Sequence, residues 1–360
     1  MTVYLLGVLI SVLFAIIAAK VKTKFIKRIM FVLSFLPLFI ISAVRYDVGT
    51  DYLYRYYKIF NIIKSGGNVL DLEIGFVFLN KLCLLFSDKF YWIFVLTSFI
   101  IISLIYYIIY KKSEYYWLSI LILFLELFYF QSMNIVRQYV SISLILFFTY
   151  MFLFKGKRIK FYFGVLITYF IHSSSVICLI LPFLRKIKIF TLTKLIILST
   201  IIYLIGTVFS QDILNTLFNT KYSVYLVGTY NRSDVRLLPF IINFIIYLLL
   251  EFLYKRKKTK KNNISAYDNF YINVQAITIL CFVLGYVHFL FFRLAYYFSI
   301  FNIISIPYFI KNSLDKKSSR FLVMAFILII LTINIVYSNV IHNDEEVLPY
   351  HSIYELNIEL

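Results

Sequence analysis

Long apolar stretches separated by short basic ones set the pattern of this chain. Residues 3–19, 29–44, 90–110, 115–130, 139–154, 194–209, 237–254, 270–291, 294–310 and 321–341 are dominated by Ile, Leu, Phe, Val and Tyr. Crossing about 30 Å of hydrocarbon takes roughly 17–25 apolar residues in a helix, so each run predicts a membrane-crossing α-helix with soft ends. Helices satisfy their own backbone groups in lipid, and the pattern predicts an all-α polytopic integral membrane protein with about ten full spans. The first run has no basic n-region, and a basic stretch rather than a small-residue cleavage site follows it, which predicts a retained anchor.

Composition agrees and removes other classes. Of the 360 residues 62% are hydrophobic and 15% charged, against about 45–50% and roughly 25% in a soluble domain. Cys83, Cys178 and Cys281 lie far apart in apolar runs, so neither a disulfide framework nor a CxxC metal site is expected. A formal charge of +19 in a soluble chain would suggest nucleic acid, but here no nucleic-acid partner is expected, because the basic residues sort by side. Lys20–Arg28, Lys155–Lys160, Arg185–Lys188, Lys255–Lys261 and Lys311–Arg320, with Lys111 and Lys112, hold 24 of the 36 basic residues and should be cytoplasmic. The opposite segments hold about eleven basic and twelve acidic residues, a nearly neutral outer face.

Two neighbouring basic segments break parity, because only residues 161–184 separate them. A re-entrant or short-helix hairpin resolves the conflict, with its tip at Ile171-His172-Ser173-Ser174-Ser175. Polar backbone at that depth survives only where protein or water surrounds it, so the hairpin predicts a watered cavity open to the outside. The segments 45–89 and 210–236 are long enough to host a site. Within the first, Glu73 to Phe86 predicts a short re-entrant or surface helix. The tail 342–360, with Asp344, Glu345, Glu346, Glu355 and Glu359, reads as a solvated outer extension. The whole of 1–360 reads as a single transmembrane domain.

Ionisable groups beside or within spans are costly, and each is a candidate for function, with helix-end snorkelling as the competing explanation. Arg45-Tyr46-Asp47-Val48-Gly49-Thr50-Asp51-Tyr52 ends the second run. It suits either a capped interfacial helix with an Arg45–Asp47 pair or a polar floor where an anion meets a cation and carboxylates meet hydroxyls. Glu73 adds a carboxylate on the same side. Asn134, Arg137 and Gln138 share a face if helical, and a guanidinium flanked by amides suits phosphate oxygens. His172 and Ser173 sit at the hairpin tip, where an imidazole takes a hydroxyl proton or donates to a phosphate. Arg293, with Tyr297 four residues on, lies at a turn with almost no loop and needs an anionic partner. Packing or snorkelling accounts for Glu126 and Glu251.

These residues form five short motifs in order: R-x-x-x-G-x-D-Y at Arg45 to Tyr52, E-x-G at Glu73 to Gly75, N-x-x-R-Q at Asn134 to Gln138, H-x-S at His172 to Ser174 and R-x-x-x-Y at Arg293 to Tyr297. In this the chain resembles the EpsG-like family of bacterial exopolysaccharide proteins, which are Wzy-type repeat-unit polymerases. The resemblance implies a multi-spanning glycosyltransferase, similar in architecture to the GT-C class, at the outer face of the bacterial plasma membrane. Donor and acceptor would be undecaprenyl-diphosphate-linked oligosaccharides, and undecaprenyl diphosphate would leave. It implies no cofactor and no obligatory metal, with a flippase and a chain-length regulator as protein partners. Capsule, O-antigen and secreted polysaccharide all remain open as the product. Arg137, with Arg45 or Arg293, would neutralise the departing diphosphate. His172 or Asp51 would deprotonate the acceptor, with Asp47 and Glu73 as further acid–base groups, and Tyr52, Asn134, Gln138, Ser173 and Tyr297 would hold substrate. The alternatives from other classes are a flippase or exporter of lipid-linked sugars, a membrane acyltransferase and a glycan ligase.

Overall fold

The computed structural model describes residues 1–69, 72–209, 237–261 and 264–355. The predicted outer segment 210–236 and the last residues of the tail, Glu359 included, lie outside the described residues. Among the described residues the chain is helical, and its one β-type contact is an isolated bridge between Arg45 and Ser352. All ten apolar runs fall on helices. Among the described residues seven helices are long and apolar enough to cross a membrane, or nine if each of two bent pairs counts as one span. The run at 194–209 is the helix Leu192–Val208, shorter than these.

The chain groups into two compact units. The first, Met1–Leu179 with Ile303–Lys311 and Lys317–Leu360, contains α1 (Thr2–Lys20), α2 (Lys24–Ala43), α3 (Lys58–Lys64), α4 (Ile74–Leu84), α5 (Trp92–Lys112), α6 (Tyr116–Leu125), α7 (Phe128–Asn134), α8 (Val136–Lys155) and α9 (Arg158–Ile171). Helix α1 packs on α2 and α6, α2 on α5, α5 on α8, and α8 on α9. The buried stripe Ser11, Ala15, Ala18 on α1 is small enough for α2 to come close, as in other lipid-embedded pairs. The Ser34 hydroxyl of α2 then donates to the Ser11 carbonyl at 2.7 Å. Leu5, Leu6, Leu9 and Leu13 of α1 are exposed, as befits a face toward lipid tails.

Two breaks in this unit have local causes. Leu127 takes a left-handed conformation, φ 66°, and bends α6 from α7 by 51°. Ile135, at φ −89° and ψ 57°, ends α7 before α8 begins. A third break falls at His172, extended at φ −154° and ψ 108°, where the hairpin tip was expected. A 3₁₀ stretch, Ser173–Ile180, follows it.

In the second unit, Ile180–Asn302 with Asn312–Lys316, helix Ala266–Gly285 is central and receives Leu237–Lys261, Leu192–Val208 and Phe292–Ser299. Its Asn273 side chain straps the preceding segment, donating to the Leu184 carbonyl at 2.9 Å and accepting from the Phe190 N–H at 2.9 Å. Ser265 and Asp268 cap its start, and the buried Lys257 ammonium sits 2.7 Å from Asp268.

The tail departs from expectation. Residues 342–355 are not a solvated extension but fold back along the end of α2. The Tyr46 N–H donates to the His351 carbonyl at 2.9 Å, the Ile353 N–H to the Val44 carbonyl at 2.9 Å, and the Tyr4 hydroxyl to the Val347 carbonyl at 3.1 Å. The tail's acidic residues suggested solvent, but its backbone and Val347 fill the gap beside α1 and α2.

Candidate active site

The loop after α2 is built around Arg45. Its side chain is 1% exposed, and its guanidinium donates to the Ser42 carbonyl, to Ser98 Oγ at 3.3 Å and to the Met133 carbonyl at 3.1 Å. The Phe94 ring lies 4.3 Å from it. Tyr52 is buried too, stacked on Phe94 at 4.3 Å, with its hydroxyl donating to the Arg45 carbonyl at 3.1 Å. In this structure these two residues join α2, α5 and the end of α7, rather than facing an open site.

Gly49 carries the loop past α7. Its φ is +96°, and a Cβ there would come 3.3 Å from the Met133 carbonyl. The close approach brings Thr50 and Asp51 to Asn134. The Thr50 hydroxyl and the Asp51 N–H both donate to Asn134 Oδ1, at 2.6 and 3.2 Å, while Asn134 Nδ2 donates to Glu345 at 2.8 Å. Asp47 is exposed, in a left-handed turn at φ 49°.

A second cluster forms around Glu73, at the N-cap of α4. One carboxylate oxygen accepts from Arg137 Nη1. The other lies 3.6 Å from His172 Nδ1 and 3.5 Å from both the backbone N–H and the hydroxyl of Ser173. The Glu73 and Arg137 side chains are each 9% exposed and that of His172 20%. Burial alone would raise the Glu73 carboxyl, but the His172 imidazole 3.6 Å away and the Arg137 charge hold it well below the usual carboxylate range.

Gly75 makes this meeting possible. A Cβ there would be 2.7 Å from the Phe170 carbonyl and 2.9 Å from the Ile171 side chain, so only glycine lets α4 start flush against the end of α9. Tyr56 links the two clusters. Its backbone N–H donates to the Asp51 carbonyl at 3.0 Å, and its ring meets Phe76 at 5.7 Å, itself 5.9 Å from the Arg137 guanidinium. Burial pushes the Tyr56 hydroxyl up, Asp51 adds to this, and Arg137 opposes it.

The break at Ile135 separates side chains expected on one helical face. Asn134 serves the Thr50–Asp51 turn, whereas Arg137 serves Glu73. Gln138 is buried beside them on α8. Arg293 and the buried Tyr297 lie on Phe292–Ser299 in the second unit. Sequence reasoning did not find Tyr56 or Glu345. Glu345 is 211 positions from Asn134, and no spacing signals such a contact.

A family model described as EpsG family matches residues 28–352. The chain belongs to the EpsG family. The match covers nearly the whole chain and all five motifs, bearing out the resemblance to Wzy-type polymerases. EpsG membership, with apolar helices long enough to cross a membrane, gives a membrane-integral protein with a polysaccharide-polymerase type of function. No curated protein and no solved structure matches the chain.

Proposed function

We propose that this EpsG-family protein joins undecaprenyl-diphosphate-linked oligosaccharide repeat units at the outer face of the bacterial plasma membrane and releases undecaprenyl diphosphate. The observation that carries the reading is the Glu73 carboxylate, which pairs with Arg137 through one oxygen and lies 3.6 Å from His172 Nδ1 with the other. A base and a cation gathered by one carboxylate suit proton abstraction next to a departing anion.

In the proposed step His172 Nδ1 faces Glu73 and Nε2 takes the proton of the acceptor hydroxyl. The hydroxyl oxygen attacks the anomeric carbon of the donor, the bond from that carbon to the diphosphate oxygen breaks, and the electron pair leaves with undecaprenyl diphosphate. Glu73 steadies the imidazolium as it forms. Only Nη1 of Arg137 is paired with Glu73, and the rest of the guanidinium meets the growing charge on the diphosphate, the largest electrostatic demand of this transition state. Direct displacement inverts the anomeric centre. Asp51 is a second acid–base group at the loop, and Ser173 and Gln138 contact substrate. Arg45 and Tyr52 act from beneath, fixing the loop. A carrier makes no specific demand for a histidine beside a carboxylate, whereas a ligase would perform the same transfer to a different acceptor.

The test is the lipid-linked glycan profile of a host lacking this gene, complemented with wild type, Arg137→Ala or His172→Ala at matched membrane abundance. Long chains with wild type and single repeat units with both variants are expected. Single units stranded on the cytoplasmic leaflet would favour a carrier, and unchanged chain length would overturn the site.

A further inference from the structure

The folded-back tail reaches the Asp51 loop through one side chain. Glu345, 8% exposed, accepts the Asn134 Nδ2 hydrogen bond at 2.8 Å, and Asn134 Oδ1 accepts from the Thr50 hydroxyl and the Asp51 N–H. An amide has one donor end and one acceptor end, while an ionised carboxylate only accepts. Glu345 therefore dictates which end of Asn134 meets the loop. Were the amide reversed, its NH₂ would confront the Asp51 N–H and its oxygen would confront the carboxylate.

What the amide holds leads toward the Glu73 cluster. The Asp51 carbonyl accepts from the N–H groups of Arg55 and Tyr56, and so starts the turn that lays Tyr56 on Phe76 beside Arg137. The tail and the loop also both carry left-handed backbone at this junction. Asp47 and Gly49 on the loop, and Asn343 and Glu346 on the tail, all have positive φ, at 49°, 96°, 48° and 50°. Such backbone persists where its surroundings over-determine it, and here each strand supplies the other's restraint, as in the Gly49 N–H to Glu346 carbonyl bond at 3.0 Å.

We infer that Glu345 is a positioning residue for the transferase site, fixing the Asn134 amide so that its oxygen holds the Thr50–Asp51 turn in register with the Glu73 cluster. This rests on the polymerase reading above. Glu345 touches no reacting atom in the proposed step, and it acts through Asn134.

The test uses full-length protein in lipid nanodiscs and the lipid-linked single repeat unit as substrate, with kcat, KM and melting temperature measured for equal amounts of folded protein. Asn134→Asp sets two carboxylates face to face, and a roughly 10- to 100-fold fall in kcat is expected from the displaced turn. Adding Glu345→Gln supplies an NH₂ to the new carboxylate, whose other oxygen still accepts from Thr50 and Asp51. The double variant should therefore recover most of the lost kcat, with KM little changed throughout. A double variant no better than N134D would overturn the inference, as would variants that lower only the melting temperature while folded protein turns over at the wild-type rate. R137A and H172A run alongside. If they are inactive while N134D is normal, the positioning role alone falls; if they too are fully active, the polymerase site falls with it.

Discussion

Gly75 and the Phe170 carbonyl meet at a distance that leaves no room for a side chain, a Cβ on Gly75 falling 2.7 Å from that oxygen. The contact decides whether Glu73, two residues earlier, reaches His172, one residue past the end of α9. Gly75→Ala must push α4 off α9 by several tenths of an ångström or more, and the 3.6 Å approach of Glu73 to His172 lengthens with it. A misplacement on this scale costs up to about 10²-fold in rate. G75A at wild-type membrane abundance should make mostly single repeat units, and long polymer from it would refute the coupling.

Glu73 also predicts a pH dependence of stability. Its folded-state carboxyl is held below the ordinary range, so its contribution to folding is fully present above the unfolded value of about 4.3 and is lost as the pH falls toward the depressed folded value. Glu73→Gln should lower the melting temperature by the same amount at pH 7 and pH 5. The gap to wild type should narrow between about pH 4 and pH 3. Thermal melts of both proteins in one detergent across this series check the sign, and a gap that widens toward acid would contradict it.

The helices were legible because burying a helix in lipid requires unbroken apolar residues, and all ten such runs are helical. The E-x-G motif could be read as a carboxylate beside a glycine, but not as a glycine that admits the Phe170 carbonyl. Asn134 and Arg137 looked like one face because the N-x-x-R-Q spacing fits a helix; the break at Ile135 is a turn of the backbone, φ −89° and ψ 57°, at a residue type that does not announce one. The acidic tail suggested solvent because its charges are local information, while the carbonyls and hydroxyls that capture it belong to α1, α2 and the Arg45 loop hundreds of residues earlier.

Arg45 and Arg137 should behave differently, although both are arginines in motifs beside spans. Arg45→Ala leaves the Ser42 and Met133 carbonyls without their buried donor, and each orphaned group costs about 1–3 kcal/mol, whereas Ser98 Oγ keeps the Ser42 hydroxyl at 2.8 Å. R45A should reduce membrane abundance and melting temperature together. Arg137→Ala strips the buried Glu73 of its cation and should lower the melting temperature as well, but compared at equal abundance it alone should lose polymer. Immunoblots of membranes beside glycan profiles separate the two, and a stable, abundant but inactive R45A would return Arg45 to a direct role with substrate.

Gly49 offers the sharpest backbone test. Its φ of +96° lies where a side chain is strained, and its missing Cβ faces the Met133 carbonyl at 3.3 Å and Asn134 Cα at 3.4 Å. Gly49→Ala therefore combines a left-handed penalty of about 1–2 kcal/mol with pressure on the residue that holds Thr50 and Asp51. Because both contacts are with the backbone of α7, the loop rather than the helix should shift. Activity should fall further than stability: a melting temperature within several degrees of wild type for a loss of about 1–2 kcal/mol, with polymer much shortened. Normal polymer from G49A would mean that the turn has freedom to move without affecting transfer, and that the proposed site lies with Glu73, Arg137 and His172 alone.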